Sequence, residues 1–302
     1  MSDQGRREFI TLLVGAAAWP LVARAQPSGS RIYRIGILGA TSLRVAGGFV
    51  NAFHEGMRER GYVEGQNLVI EFRGPSAPSE QIRDLAADLV RGGYDVILTW
   101  TTRWVIAASR ATSTIPIVFV GVTDPVGQGL VAGLARPGAN VTGIANFASD
   151  LSGKMIELLR EIVPDARRLG AVRNPDNPGV AFQFSQLTDA ARALGLELQV
   201  VDASVPAEFE AAFAQLRQGG VQGVVMLADS SVLEHAGAIA ALAQQARLPT
   251  VFQRRENVEA GGLLSYGPNI RDAFRQVAGH VDRILKGVRP GDIPVAGYRP
   301  RR

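Results

Sequence analysis

One order of signals (strand, helix, stop) occurs twice along this chain, and that repeat constrains the fold more than any other feature. In the first round, apolar β-rich runs at Ile32–Leu38, Leu68–Phe72, Tyr94–Trp100 and Ile117–Val122 alternate with helical periodicity at Phe49–Arg60, Gln81–Val90 and Val105–Ala111. In the second, strand runs at Leu169–Arg173, Leu196–Val201, Val221–Leu227 and Thr250–Phe252 alternate with helices over Ala181–Leu194, Phe209–Arg217 and Ala236–Gln245. The stops match as well. Gly61-Tyr62 answers to Gly195-Leu196, Gly92-Gly93 to Gly219-Gly220, and Ile115-Pro116 to Leu248-Pro249. Glycine just past a helix supplies the left-handed residue that ends it. Strands alternating with helices imply βαβ units and parallel sheets. The class is therefore α/β, with two Rossmann-like lobes; one long doubly wound sheet is the competing arrangement.

Thr142-Gly143-Ile144-Ala145 and Gly261–Gly267 are short, extended and glycine-flanked. They read as hinge crossovers between lobes, since glycine absorbs the backbone change a hinge needs. The expected division is an N-terminal lobe of residues 32–143 plus 264–302 and a C-terminal lobe of 144–263. A further helix is expected over Arg271–Gly287.

In parallel α/β sheets, ligands bind beyond the carboxyl ends of the strands, beside helix N-termini. Two facing lobes would bring Thr41, Ser42, Trp100, Thr101, Thr102 and Asp124 from one side to Asn174, Asp229, Ser230 and Arg254 from the other, with Tyr266 at the second crossover. Ser42 and its neighbouring N–H groups are expected to take an anionic group. Asp124 and Asp229 are candidates for a cationic one, and Trp100 or Tyr266 for an aromatic wall. Such a set suits a small zwitterion. Each of these residue types also serves ordinary turns and helix caps.

The N-terminus reads as an address. Arg6-Arg7-Glu8-Phe9-Ile10 leads into the apolar run Leu12–Trp19, which closes with Pro20 and Ala23-Arg24-Ala25. A basic start, a short apolar stretch and an A-x-A site make a secretory signal, and the paired arginines place it in the twin-arginine class. Residues 1–25 are then the signal and 26–31 a leader. The run is short of the roughly 20 apolar residues of a membrane span; an anchor or a buried helix is the rival reading. The exported protein is expected in the periplasm, not inserted in the membrane.

Chemistry-bearing motifs are sparse. With no cysteine, disulfides and thiolate chemistry are excluded. No Walker sequence, complete dinucleotide fingerprint or nucleophile elbow occurs. His54, His235 and His280 lack metal-ligand spacing. Net charge is +4, but Lys and Arg are scattered among Asp and Glu, which argues against nucleic acid. No catalytic residue, metal or cofactor is expected.

Several stretches carry a resemblance. They are Ser113–Phe119, Asp124-Pro125-Val126-Gly127 with Gly129-Leu130-Val131, Leu134-Ala135-Arg136-Pro137-Gly138 with Asn140–Gly143, Asn174-Pro175, and Glu259–Pro268. Together they resemble the ABC-transporter substrate-binding proteins of the tryptophan/tyrosine type, over nearly all the chain after the signal. The resemblance implies the two-lobed, type I periplasmic-binding fold, an amino acid ligand with an aromatic one favoured, and an inner-membrane ABC permease as partner. A sensory module presenting its ligand to a membrane receptor and an exported hydrolase are the alternatives. Three departures stand out. Trp100–Trp104 is bulky where relatives have small residues. Asp229-Ser230-Ser231 replaces their Asp-Pro-aromatic pattern. Relatives continue past the equivalent of Asp292–Val295 into a strand and a helix. The short C-terminus is therefore expected to leave one sheet edge bare.

Overall fold

The computed structural model describes residues 31–74, 81–146 and 151–298. The expected export signal and leader lie outside these residues, Arg31 apart. Residues 32–302 group as one unit, within which the strands form two separate sheets.

The first sheet contains β1 (Tyr33–Leu38), β2 (Leu68–Arg73), β3 (Val96–Trp100), β4 (Ile117–Val122) and β5 (Val141–Ala145). Its order is β11-β5-β4-β3-β1-β2, where β11 is Ala296–Gly297. The second holds β6 (Arg168–Arg173), β7 (Glu197–Asp202), β8 (Val224–Met226), β9 (Thr250–Phe252) and β10 (Leu264–Ser265), in the order β10-β9-β8-β6-β7. Every pairing is parallel. In both sheets the first strand lies between the second and the third, so each has a switch point where the order reverses.

Helices cover both faces of each sheet, as parallel strands buried on two sides require. On the first sheet, α1 (Leu43–Arg58) and α10 (Ile270–Leu285) pack on one face. Phe53, Met57, Phe274 and Val277 are fully buried there. The other face carries α2 (Gln81–Arg91) and α3 (Thr102–Ala111). The second sheet lies between α4 (Leu151–Ile162) with α5 (Val180–Ala193) and α6 (Pro206–Gln218) with α8 (Ala236–Ala246). Two short helices, α7 (Ser230–Glu234) and α9 (Arg255–Glu259), follow β8 and β9. Each large buried apolar side chain contributes about 1.5–3 kcal/mol.

Some sequence expectations need correction. Helix α1 begins at Leu43 rather than Phe49, because burial of Ala46 extends the packed face over the pair Gly47-Gly48. Both supposed crossovers contain strands: β5 ends the first sheet's run at Ala145, and β10 joins the second sheet. The chain passes back between sheets at Tyr266–Asn269, where Gly267 lies so close to the Gln253 carbonyl that a Cβ would collide with it. The bare sheet edge is also corrected. Ala296 and Gly297 pair with Ile144 and Ala145. Thr142 Oγ1 donates to the Ile293 carbonyl at 2.7 Å, and the Asn269 amide donates to the Tyr298 hydroxyl at 3.1 Å.

Candidate functional site

The carboxyl ends of both sheets meet at a cavity of about 50 Å³ between the lobes. The first lobe contributes Trp100, Thr101 and Thr102 after β3, Gly121 and Thr123 at the end of β4, Asn146 after β5, Phe49 from α1, and Ile270 and Phe274 from α10. The second contributes Asn177, Gly179 and Gln183 at the start of α5, Asp229, Ser230 and Leu233 after β8, and Arg254 after β9. Two wider recesses of about 780 and 390 Å³ flank it.

The polar atoms facing this cavity are incompletely partnered. Arg254 Nη1, Ser230 Oγ, Asn146 Oδ1 and Gln183 Oε1 are all buried without a hydrogen-bond partner. Buried polar groups are nearly always paired, and an orphan forfeits about 1–3 kcal/mol. Four such atoms line one cavity, which makes it the candidate binding site. Arg254 is the strongest of them. Among the described residues no carboxylate forms an ion pair with its guanidinium. Burial pushes its pKa down, with only partial relief from Glu256 and Tyr298. Arginine still stays cationic in proteins, so this is a buried positive charge awaiting an anion.

Asp229 supplies the opposite charge. It caps α7, with Oδ1 accepting from the Ser231 amide at 2.8 Å, the Ser231 hydroxyl at 2.6 Å and Asn174 Nδ2 at 3.0 Å. Its Oδ2 accepts from Asn177 Nδ2 at 2.6 Å. These donors are all neutral, and Oδ2 keeps capacity for a further one.

The backbone also contributes. Thr101 has φ 62° and ψ 144°, rare for a β-branched residue and a strain of about 1–3 kcal/mol. This kink turns β3 sharply into α3 beside the cavity. Helices α3 and α5 both begin at the cavity; at the start of α5, Asn177 accepts from the Gly179 amide through Oδ1 and from the Val180 amide through its carbonyl.

The other expected residues fall elsewhere. Thr41 and Asn174 line the wider recess, not the cavity. Ser42 does hold an anion at the start of α1, but that anion is Glu234 of the other lobe. Asp124, at φ 48°, accepts from the Gly127 amide at 2.9 Å, closing its own turn, and faces the smaller recess. Tyr266 is 39% exposed and lines none of these spaces. Trp100 is at the cavity but only 6% exposed. It packs edge-on against Phe274 at 5.3 Å and near Phe72 at 6.3 Å, so it closes a wall rather than offering an open face. Asn146 and Gln183 escaped the sequence reading. Asn146 obeys the strand-end rule, but its strand had been read as a crossover. Gln183 sits in the first turn of α5, where its sole signal was proximity to a helix start.

The lobes touch directly around the cavity. Gln183 Nε2 donates to Thr123 Oγ1 at 3.1 Å on one flank. On the other, Gly179 lies against the Thr102 side chain with no room for a Cβ. Arg103 and Asp176 approach to 3.8 Å, and Arg44 reaches Glu234 at 3.2 Å.

Comparison with known proteins agrees with this architecture. A tyrosine-binding protein of Clostridioides difficile is 27% identical over 248 residues, 82% of this chain and 70% of that protein. A conserved domain protein of Vibrio cholerae superposes with a TM-score of 0.84 at 27% identity, covering 89% of this chain and 90% of the other. A streptococcal ABC domain in complex with L-Trp gives 0.82 at 22% identity, again over 89% and 90%. The ligand-free, open structure of a Clostridium difficile substrate-binding protein with adhesive properties gives 0.63 at 25% identity, over 88% and 90%. The interlobe contacts above hold the two lobes together over the cavity. Two of these, the tyrosine-binding protein and the adhesive substrate-binding protein, are binding proteins by name. The family model described as ABC transporter substrate binding protein matches residues 43–300. The chain, with its two parallel-sheet lobes and its cavity between them, belongs to that family.

Proposed function

We propose that this protein is a periplasmic solute receptor that binds an amino acid and delivers it to an ABC importer. The observation that carries the ligand class is the buried, unpartnered Nη1 of Arg254 in the same interlobe cavity as the Asp229 carboxylate. A zwitterion satisfies both charges. Its carboxylate takes Arg254 and Ser230, and its ammonium takes Asp229 with the Asn146 and Gln183 oxygens. The protein does no chemistry on its ligand; binding and release are its whole task. Closure follows from ligand touching both lobes, because only differential affinity for the closed state shifts the population. Periplasmic placement rests on the twin-arginine-type N-terminus, and delivery to a permease on family membership. Among the described residues no helix is long and apolar enough to cross a membrane. The aromatic preference that the resemblance implies has in its support the ligands of two relatives, tyrosine and L-Trp. The size of the cavity opposes it.

A thermal-shift screen of the twenty amino acids tests this reading. A ligand at about 100 times its Kd adds about 2.7 kcal/mol of stability. An unmoved transition with all twenty would overturn the ligand class. Unimpaired uptake of the identified amino acid in a deletion strain would overturn the transport role.

A further inference from the structure

We infer that the amino acid this site selects is a small one, of the size of glycine, alanine or serine, and that Trp100 sets the limit. The inference rests on the amino acid reading above and narrows it. The closed cavity measures about 50 Å³. It is the smallest of the three spaces between the lobes, beside the recesses of about 780 and 390 Å³. A cavity that takes up a single benzene measures about 150 Å³, so this one suits a backbone zwitterion with little or no side chain better than one that carries an indole or phenol ring.

The residues that fill the space are anchored. Trp100 belongs to the apolar core of the first lobe, wedged among Phe72, Phe274 and the Gly39 backbone. Its indole cannot swing aside without opening that core. Phe49 and Phe274 stack on each other at 5.4 Å and are likewise buried. The cavity is also bounded where a longer side chain would leave it. The Gln183–Thr123 hydrogen bond joins the lobes on the flank towards the apolar recess of Val126, Leu134 and Phe182. A ligand reaching that recess would have to break this bond.

The polar atoms agree with a compact ligand. Two unpartnered donors, Arg254 Nη1 and Ser230 Oγ, and two unpartnered acceptors, Asn146 Oδ1 and Gln183 Oε1, surround a volume of a few atoms, with Asp229 beside them. Nearly every atom of a ligand there must be a hydrogen-bonding one. An ammonium and a carboxylate separated by one carbon meet that demand; an apolar ring does not.

Isothermal titration calorimetry of the purified protein with glycine, L-alanine, L-serine, L-tryptophan and L-tyrosine tests the inference. At least one of the three small amino acids is expected to bind ten-fold or more tightly than either aromatic one. Equal or tighter binding of tryptophan or tyrosine would overturn the size limit and leave the amino acid reading standing. Absence of binding by all five overturns this inference, and extending the titration to the remaining amino acids then decides the broader reading. Trp100→Leu should lower the preference for small over aromatic ligands at least ten-fold. Trp100→Phe, which retains an aromatic core residue, should lower it by a smaller factor. A preference unchanged in both folded variants would remove Trp100 from its assigned role.

Discussion

Ser42 Oγ, on the first lobe, donates to Glu234 Oε1 on the second across 2.8 Å, and the Ser42 amide donates to Oε2 of the same carboxylate at 2.9 Å. A carboxylate from one lobe thus completes the uncapped start of α1 on the other, where the helix dipole favours negative charge. The contact exists only while the lobes are together, so it stabilises the closed state without ligand. Arg44 adds little, being 76% exposed at its side chain.

Glu234→Ala should therefore open the unliganded ensemble. Hydrogen bonds to a charged group are worth about 1.5–3 kcal/mol, and partial exposure of this one reduces that to about 1 kcal/mol, a few-fold in Kd. Small-angle scattering should show a larger mean radius, and calorimetry a weaker ligand. Identical scattering and affinity in variant and wild type would mean that the latch has no effect on closure.

Gly179→Ala should separate folding from closure. Its φ of −68° suits any residue, so the open form tolerates a methyl group. The closed form does not, because the Cβ would run into Thr102 of the facing lobe. The expected result is near-normal thermal stability without ligand and affinity reduced ten-fold or more. Normal affinity would show that the two lobes have slack at this contact.

Arg254→Met should raise stability while destroying binding. The variant removes a buried guanidinium lacking a counter-ion and substitutes an apolar chain of similar reach. The unliganded transition should rise, by about 1–3 kcal/mol if the charge is as poorly compensated as its contacts indicate. Ligand-induced stabilisation should vanish. A variant less stable than wild type that still responds to ligand contradicts the assignment.

Asp229 calls for two substitutions, since it caps α7 and also faces the cavity. Asn caps as well as Asp. Asp229→Asn should thus keep the cap but set its amide against the Asn177 donor, at a cost of about 1 kcal/mol in stability, and weaken a zwitterionic ligand by more than 1 kcal/mol, whereas Asp229→Ala should lose more of both. Differential scanning fluorimetry beside calorimetry distinguishes them. Full affinity in the Asn variant would assign Asp229 to the helix cap alone.

The architecture was legible because it is written in short-range signals. Two rounds of period-2 and period-3.6 apolar patterning, with glycine stops, require neither distant contacts nor alignment to be read. Trp100, Thr101, Thr102, Asp229, Ser230 and Arg254 could be placed near a cleft by the strand-end rule, and they line one cavity. The same rule misled where a strand was mistaken for a connector. Reading Thr142–Ala145 as a crossover concealed Asn146, and the two-residue strands β10 and β11 are too short to leave a pattern.

Which of two chemically equivalent partners takes a given role was decided by tertiary structure. Ser42 was expected to take an anionic group of the ligand, but the anion it meets is a residue 192 positions away, and sequence spacing carries no information about such a meeting. Asp124 and Asp229 are the same side chain at the same kind of strand end. One is spent on its own turn and the other faces the cavity, because their backbones aim them differently. The sequence by itself determined two α/β lobes and the strand ends that face each other. The distance between those ends, and hence the cavity's volume and unpartnered atoms, depended on how the lobes close. Closure is set by contacts such as Gly179 on Thr102 and Gln183 on Thr123, between residues far apart in the chain, and these exist only in three dimensions.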